Sequence, residues 1–122
     1  MSWSAILVIS LVFVALFGLK RLGLVSVKAA RTYLKQGALV VDVRNVEEFK
    51  ADHLPTAVNI PLGELQSALP RRVADKNRVL LLHCLSGTRS GLAKGQLKRL
   101  GYTNVFNLGS YGRAKSILNR IH

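Results

Sequence analysis

A chain of 122 residues has room for one domain of ordinary size. Its 18 Lys and Arg against 6 Asp and Glu give a net charge of +12, which points to anionic partners: small anions, anionic lipid or nucleic acid. The single cysteine excludes an internal disulfide, so that residue is either a core side chain or a reactive thiol.

The apolar residues are unevenly spread. Residues 3–19, from Trp3 to Leu19, carry no charge. As a helix this run spans about 25 Å, the short end of what crosses a bilayer core of about 30 Å. Lys20 and Arg21 follow it and can snorkel to the interface. The expectation is a membrane anchor over residues 1–22 with the domain at 23–122. A signal peptide is the alternative, but no basic side chain precedes the run and no small-x-small cleavage site follows it. A buried soluble helix is the third reading. It fits poorly, because a domain of about 100 residues cannot cover a helix that is apolar all round. Lys28, Arg31 and Lys35 continue the basic character. By the positive-inside rule the anchor is single-pass in the inner (cytoplasmic) membrane, N-terminus outside and domain in the cytoplasm. Attraction to anionic lipid accounts for these residues more simply than nucleic acid, because the basic residues are scattered without aromatic interleaving.

After a short link at Leu22–Val25, Ser26 is the expected N-cap of a helix over Val27–Gln36, stopped by Gly37. Ala38–Val43 is a short valine-rich run, hence a buried strand. Asn45 caps a brief turn over Val46–Lys50, and His53-Leu54-Pro55 is a loop. Ala57–Ile60 is a second strand. Leu62–Leu69 is a short helix stopped by Pro70, and Arg71–Asn77 is a polar connection. Arg78–His83 is the third strand, followed by a helix over Ser90–Leu100 with Ser90 as N-cap and Gly101 as its stop. Thr103–Leu108 is a last strand and Ser110–Ile121 a last helix. Short apolar strands alternating with helices predict an α/β fold with a parallel sheet covered on both faces. In such sheets ligands bind at the carboxyl ends of the strands.

Cys84-Leu85-Ser86-Gly87-Thr88-Arg89-Ser90 falls at such an end. Unpaired N–H groups and the dipole at a helix start favour a thiolate and attract anions. Arg89 adds a permanent cation that can fork onto an oxyanion. Cys84 is therefore the candidate nucleophile. Ser86, Thr88 and Ser90 are loop and cap residues by the bland reading and anion contacts by the sharp one. His83 adjoins Cys84, but neighbours in a strand point to opposite faces, so it reads as structural. Asp42 and Arg44 read as an ion pair holding the loops, with Arg44 near the pocket as the sharper alternative. The three histidines and one cysteine show no metal-ligand spacing, so no metal or cofactor is expected.

Five motifs in order then resemble a known family: Val41-Asp42-Val43-Arg44; Glu47-Glu48-Phe49; His53-Leu54-Pro55-x-Ala57-x-Asn59-Ile60-Pro61; Cys84-x-Ser86-Gly87-x-Arg89-Ser90; and Leu100-Gly101-Tyr102-x-Asn104-Val105. This set is similar to a single-domain rhodanese, a sulfurtransferase, over about residues 24 to 110. The resemblance implies a rhodanese-like α/β fold with a central parallel sheet of about five strands. It implies a cysteine, Cys84, that takes sulfane sulfur from a donor such as thiosulfate as a persulfide and passes it to cyanide or a thiol. It also implies that Leu85, Ser86, Gly87, Thr88, Arg89 and Ser90 surround the donor, with Arg44 near them and Asp42, Glu48 and His53 as structural motif residues. A slow sulfur carrier, sensor or interaction module at the membrane is the alternative. Asp52 and Thr56 stand where family members often have glycines, and Gly109-Ser110-Tyr111-Gly112 replaces the usual Gly-Gly and Trp. Phosphatases of the same fold carry Cys-x5-Arg. Here the spacing is Cys-x4-Arg, a tighter ring suited to one sulfur atom, with no nearby aspartate as general acid.

Overall fold

The computed structural model describes the backbone of residues 2–120 and the side chains of residues 2–15 and 23–120. Four parallel strands form one sheet: β1 Leu39–Asp42, β2 Val58–Asn59, β3 Leu80–His83 and β4 Val105–Gly109, in the order β2-β1-β3-β4. The helices are α1 Trp3–Leu22, α2 Val27–Lys35, α3 Val46–Ala51, α4 Leu65–Arg72, α5 Thr88–Arg99 and α6 Tyr111–Asn119, with a 3-10 turn at Leu62–Glu64.

Alternation along the strands sorts the core into two layers. Val41, Leu80, Leu82 and Cys84 face Leu65 and Leu69 of α4 and Ala93 and Leu97 of α5. Val40, Leu81 and Leu108 face Ala30 of α2 and Ala114, Ile117 and Leu118 of α6. Leu80, Leu81 and Leu82 are fully buried. Each contributes roughly 2 kcal/mol of burial and fixes the height at which Cys84 leaves the sheet.

Several expectations need correction. The sheet has four strands rather than about five. The fifth position, beside β4, shrinks to a single parallel bridge between Leu24 and Asn107, and the Val25 N–H donates to the Asn107 carbonyl at 3.0 Å. The segment read as a plain link is thus a one-residue sheet edge. Arg113 fastens it by donating to the Val25 and Leu108 carbonyls, each at 2.7 Å. Pro70 does not stop α4, which runs on to Arg72. A proline in the last turn removes the N–H that would meet the Gln66 carbonyl, and the Val73 N–H still closes onto Leu69 at 2.8 Å. Ser90 does not cap α5, because the helix begins at Thr88 with Gly87 as N-cap. The predicted end of the last helix, at residue 121, lies outside the described residues.

Among the described residues no helix is long and apolar enough to cross a membrane. The side chains of residues 16–22, the second part of the expected anchor and its basic flank, lie outside the described set. The described part of α1, residues 3–15, rises only about 20 Å. Apart from Ser4 and Ser10 its side chains are apolar, and they are mostly exposed, from Trp3 to Val14.

Candidate functional site

β3 ends at His83, and the chain turns through Cys84 to Gly87 into α5. The Cys84 N–H donates to the Gly109 carbonyl at 3.2 Å, the Tyr111 N–H donates to the Leu85 carbonyl at 3.2 Å, and Ser86 bridges Ser110. The loop is therefore sewn to the β4–α6 junction on its outer side. Gly87 makes the turn possible. Its φ is 96°, and a Cβ there would sit 3.3 Å from the Gly109 Cα.

Cys84 lies fully buried under this turn. Its Sγ accepts from the Gly87 N–H at 3.0 Å and lies 3.5 Å from the Ser90 hydroxyl. Burial pushes the thiol pKa up, but hydrogen bonds from the Ser90 hydroxyl and from the backbone N–H groups of Ser90, Gly87 and Ser86 outweigh it, and the net shift is downward. The thiolate is thus favoured by a ring of donors. Ser90 is a sulfur contact rather than a cap. Thr88 and Ser86 form the exposed rim, with their hydroxyls 3.4 Å apart, and the Leu85 side chain points to solvent.

Arg89 is where the sequence places it, in the first turn of α5, but it is paired. NH1 and NH2 donate to the two Glu48 carboxylate oxygens at 2.6 and 3.0 Å. The hydrogen bond from Arg89 leads the causes that hold the Glu48 carboxyl down at about 2. Glu48 also accepts from the Asn45 N–H as half of a capping box on α3, so the box and the fork share one carboxylate. Interaction with Cys84 contributes to the raised pKa of Arg89, after its hydrogen bond to Glu48.

Arg44 is not a wall of the thiol pocket. Its Nε and NH2 donate to Asp42, and NH2 also reaches the Asp52 carbonyl at 2.7 Å. Its guanidinium lies 4.7 Å from the Tyr111 ring centre. Asp42, two residues away, holds this fork, and the two residues form a buried ion pair. His53 stacks on Phe49 at 4.0 Å, and its Nδ1 lies 2.9 Å from the Phe49 carbonyl, so it braces α3. His83 lies on the sheet face opposite Cys84, buried, with Nε2 3.7 Å from Asp42. Burial pushes its pKa down.

Asn107 carries no signal in the motifs, yet it sits at the centre. Its Oδ1 accepts from Ser90 Oγ at 2.7 Å and from the Gly109 N–H at 2.8 Å, and its Nδ2 donates to the Gly87 carbonyl at 3.2 Å. The one available hint was an amide inside the apolar run Val105-Phe-Asn-Leu108, where a polar residue must find partners if buried. A cleft of about 510 Å3 opens beside the loop, lined by Leu24, Gly87, Leu92, Lys94 and Arg113 among others. Among the described residues no cluster of His, Cys, Asp or Glu could hold a metal.

The family model of the rhodanese-like domain matches residues 26–112. The chain belongs to the rhodanese-like family. Its rhodanese domain is 41% identical over 69 residues to thiosulfate sulfurtransferase PspE of Escherichia coli (strain K12), covering 57% of this chain and 66% of that one. It is 35% identical over 69 residues to putative sulfur carrier protein YrkF of Bacillus subtilis (strain 168), covering 57% of this chain and 36% of that one. The chain thus spans less than two thirds of these relatives. Among solved structures it is similar to a rhodanese with anions from E. coli, at TM-score 0.61 and 36% identity, over 63% of this chain and 91% of that one. It is also similar to the human single-domain sulfurtransferase TSTD1, at TM-score 0.65 and 30% identity, over 77% of this chain and 96% of that one. The parallel α/β sheet is that of a rhodanese-like domain.

Proposed function

We propose that the protein moves sulfane sulfur through a persulfide on Cys84. The carrying observation is the sulfur at the base of the loop, held by the Gly87 N–H and facing the Ser90 hydroxyl, with its pKa lowered. The Cys84 thiolate attacks the outer sulfur of a donor such as thiosulfate. The sulfur–sulfur bond of the donor breaks, sulfite leaves with the electron pair, and Cys84 becomes a persulfide anion. An acceptor such as cyanide or a thiolate then takes the outer sulfur and returns the cysteine thiolate. The same donors that stabilise the thiolate stabilise the persulfide anion. Full burial of Cys84 favours small anions as donors. Thiocyanate formation from thiosulfate and cyanide tests the reading, with Cys84→Ser as control. Wild type is expected to turn over and the variant to be inert; equal rates would overturn the proposal.

A second reading, a slow sulfur carrier or sensor, draws on one observation. Glu48 already neutralises Arg89, which weakens the pull on an anionic donor. Slow cyanide turnover with stable persulfide formation would favour it.

We further infer that residues 3–19 tether the domain to the inner membrane, with the domain in the cytoplasm. The support is the apolar, exposed first half of α1 and the basic residues Lys20, Arg21, Lys28, Arg31 and Lys35 that follow in sequence. A reporter active only in the periplasm, fused to the C-terminus, is expected to stay silent. A strong signal would place the domain outside and revive the signal-peptide reading.

A further inference from the structure

The Ser90 hydroxyl has one proton and three neighbours that can accept it. Asn107 Oδ1 is at 2.7 Å, the Gly87 carbonyl at 3.1 Å and Cys84 Sγ at 3.5 Å. The amide of Asn107 cannot turn over. The Gly109 N–H, 2.8 Å away, requires an oxygen opposite it, and the Gly87 carbonyl requires the NH2 group on the other side. An oxygen held fixed at 2.7 Å therefore draws the Ser90 proton toward Asn107. The Ser90 oxygen then offers Cys84 a lone pair, which suits a thiol. When the thiol ionises, the proton must swing to the sulfur, and the bond to Asn107 is given up for a charge-assisted one.

We propose that Asn107 is a positioning residue for the sulfur chemistry: it competes with Cys84 for the single Ser90 proton and so sets how readily Cys84 forms its anion. This rests on the persulfide reading only in giving the anion a purpose; the competition itself is a property of the thiol. The other groups around Cys84 leave the argument intact. Arg89 of α5 is held by Glu48 of α3. His83 reaches Cys84 through its backbone carbonyl, at 3.4 Å, and turns its other ring nitrogen to Asp42. Asp42 and Arg44 are paired with each other beyond His83.

The competition makes sign-crossed predictions. Asn107→Val keeps a strand-forming side chain of similar size and removes the acceptor. The Ser90 proton is then contested only by the neutral Gly87 carbonyl at 3.1 Å, over which the thiolate wins, and alkylation by iodoacetamide at about pH 6 speeds up about threefold to tenfold, the worth of one hydrogen bond. Ser90→Ala removes the donor and slows alkylation. The proposal requires the double variant to match Ser90→Ala, because it routes the effect of Asn107 on the thiol through Ser90 and not through Gly87 or Gly109. Loss of a merely structural residue would not accelerate a buried thiol through one specific partner. An unchanged or slower Asn107→Val, or a double variant that differs from Ser90→Ala, would overturn the proposal.

Asn107→Val also orphans the Gly109 N–H and the Gly87 carbonyl, so the wild-type full chain supplies an independent readout. The side-chain carbonyl carbon of Asn107, followed by NMR, is expected to shift with the midpoint of the Cys84 titration and to stay flat in Ser90→Ala. A flat wild-type trace would refute the competition. Neither measurement needs sulfur turnover, so a chain that fails to move sulfur still tests it.

Discussion

Replacing Gly87 with alanine should damage the site and the fold together, and the two costs can be counted. Gly87 has φ 96° and ψ −9°, a conformation that costs an L-residue roughly 1–2 kcal/mol. The new methyl would also lie 3.3 and 3.4 Å from the Gly109 Cα and carbonyl carbon. That backbone cannot give way freely, since it is tied to Cys84 and to Asn107 by hydrogen bonds. Crowding of this kind adds about 1–2 kcal/mol, for a total of about 2–4 kcal/mol. Relief would move the Gly87 N–H away from the sulfur it now reaches at 3.0 Å. Losing one such donor raises the thiol pKa and slows alkylation near neutral pH several-fold. Urea unfolding followed by circular dichroism gives the first quantity, because the single tryptophan, Trp3, lies on α1 and reports nothing about the core. Gly37→Ala is the control. Gly37 has φ 90°, but a methyl placed there would meet nothing within 4 Å. Only the conformational cost of about 1–2 kcal/mol then applies, and the thiol is untouched. If Gly87→Ala unfolds like Gly37→Ala and alkylates like wild type, the close approach of the loop to β4 is not what holds the site.

Two ion pairs of unequal burial should behave unequally. Asp42→Asn leaves the buried Arg44 guanidinium uncompensated and is expected to cost about 3–5 kcal/mol in urea unfolding; a loss under about 1 kcal/mol would contradict the frame assigned to this pair. Glu48→Gln keeps the capping geometry but removes the charge facing the half-exposed Arg89, so it should cost under about 1 kcal/mol, with the difference shrinking as salt is added. Acid should be destabilising in two windows. The lowered pKa of buried His83 means that stability is full above the ordinary value of 6.5 and falls as pH drops below it. His83→Gln should flatten that part of the curve, and an unchanged slope would show that another group titrates there. Glu48, held at about 2 against an ordinary 4.5, adds a second loss as pH falls from 4.5 toward 2, absent in Glu48→Gln.

The order of elements and the place of Cys84 were legible because they depend on short-range signals. Ser26 and Asn45 accept from the backbone N–H groups of Ala29 and Glu48, as their positions before the helices implied. The apolar runs found their strands, although β2 kept only Val58 and Asn59. Ser90 misled because serine is a good N-cap by propensity, whereas the turn needs a positive φ that only Gly87 supplies without strain; the freed hydroxyl is then used on sulfur. Arg89 reads in sequence as a cation for an anion, and Arg44 as the ion-pair partner of Asp42. Their partners, Asp42 and Glu48, differ in burial and in the element that carries them, and only the tertiary structure brings Glu48 to Arg89 across 41 residues. The one-residue edge at Leu24 was invisible for a similar reason: it pairs with Asn107 across more than 80 residues, with no periodic run to announce it. Asn107 left only the hint of an amide in an apolar run, because its partners Gly87 and Ser90 meet it through the loop rather than along the sequence.

Intact-protein and peptide mass spectrometry after exposure to thiosulfate tests the central claim most directly. The account predicts a gain of one sulfur atom on the Cys84 peptide of the wild-type chain, removed by cyanide and absent from Cys84→Ser. A wild-type chain that stays unmodified with thiosulfate and with other sulfane-sulfur donors, while its Cys84 alkylates readily, would contradict it.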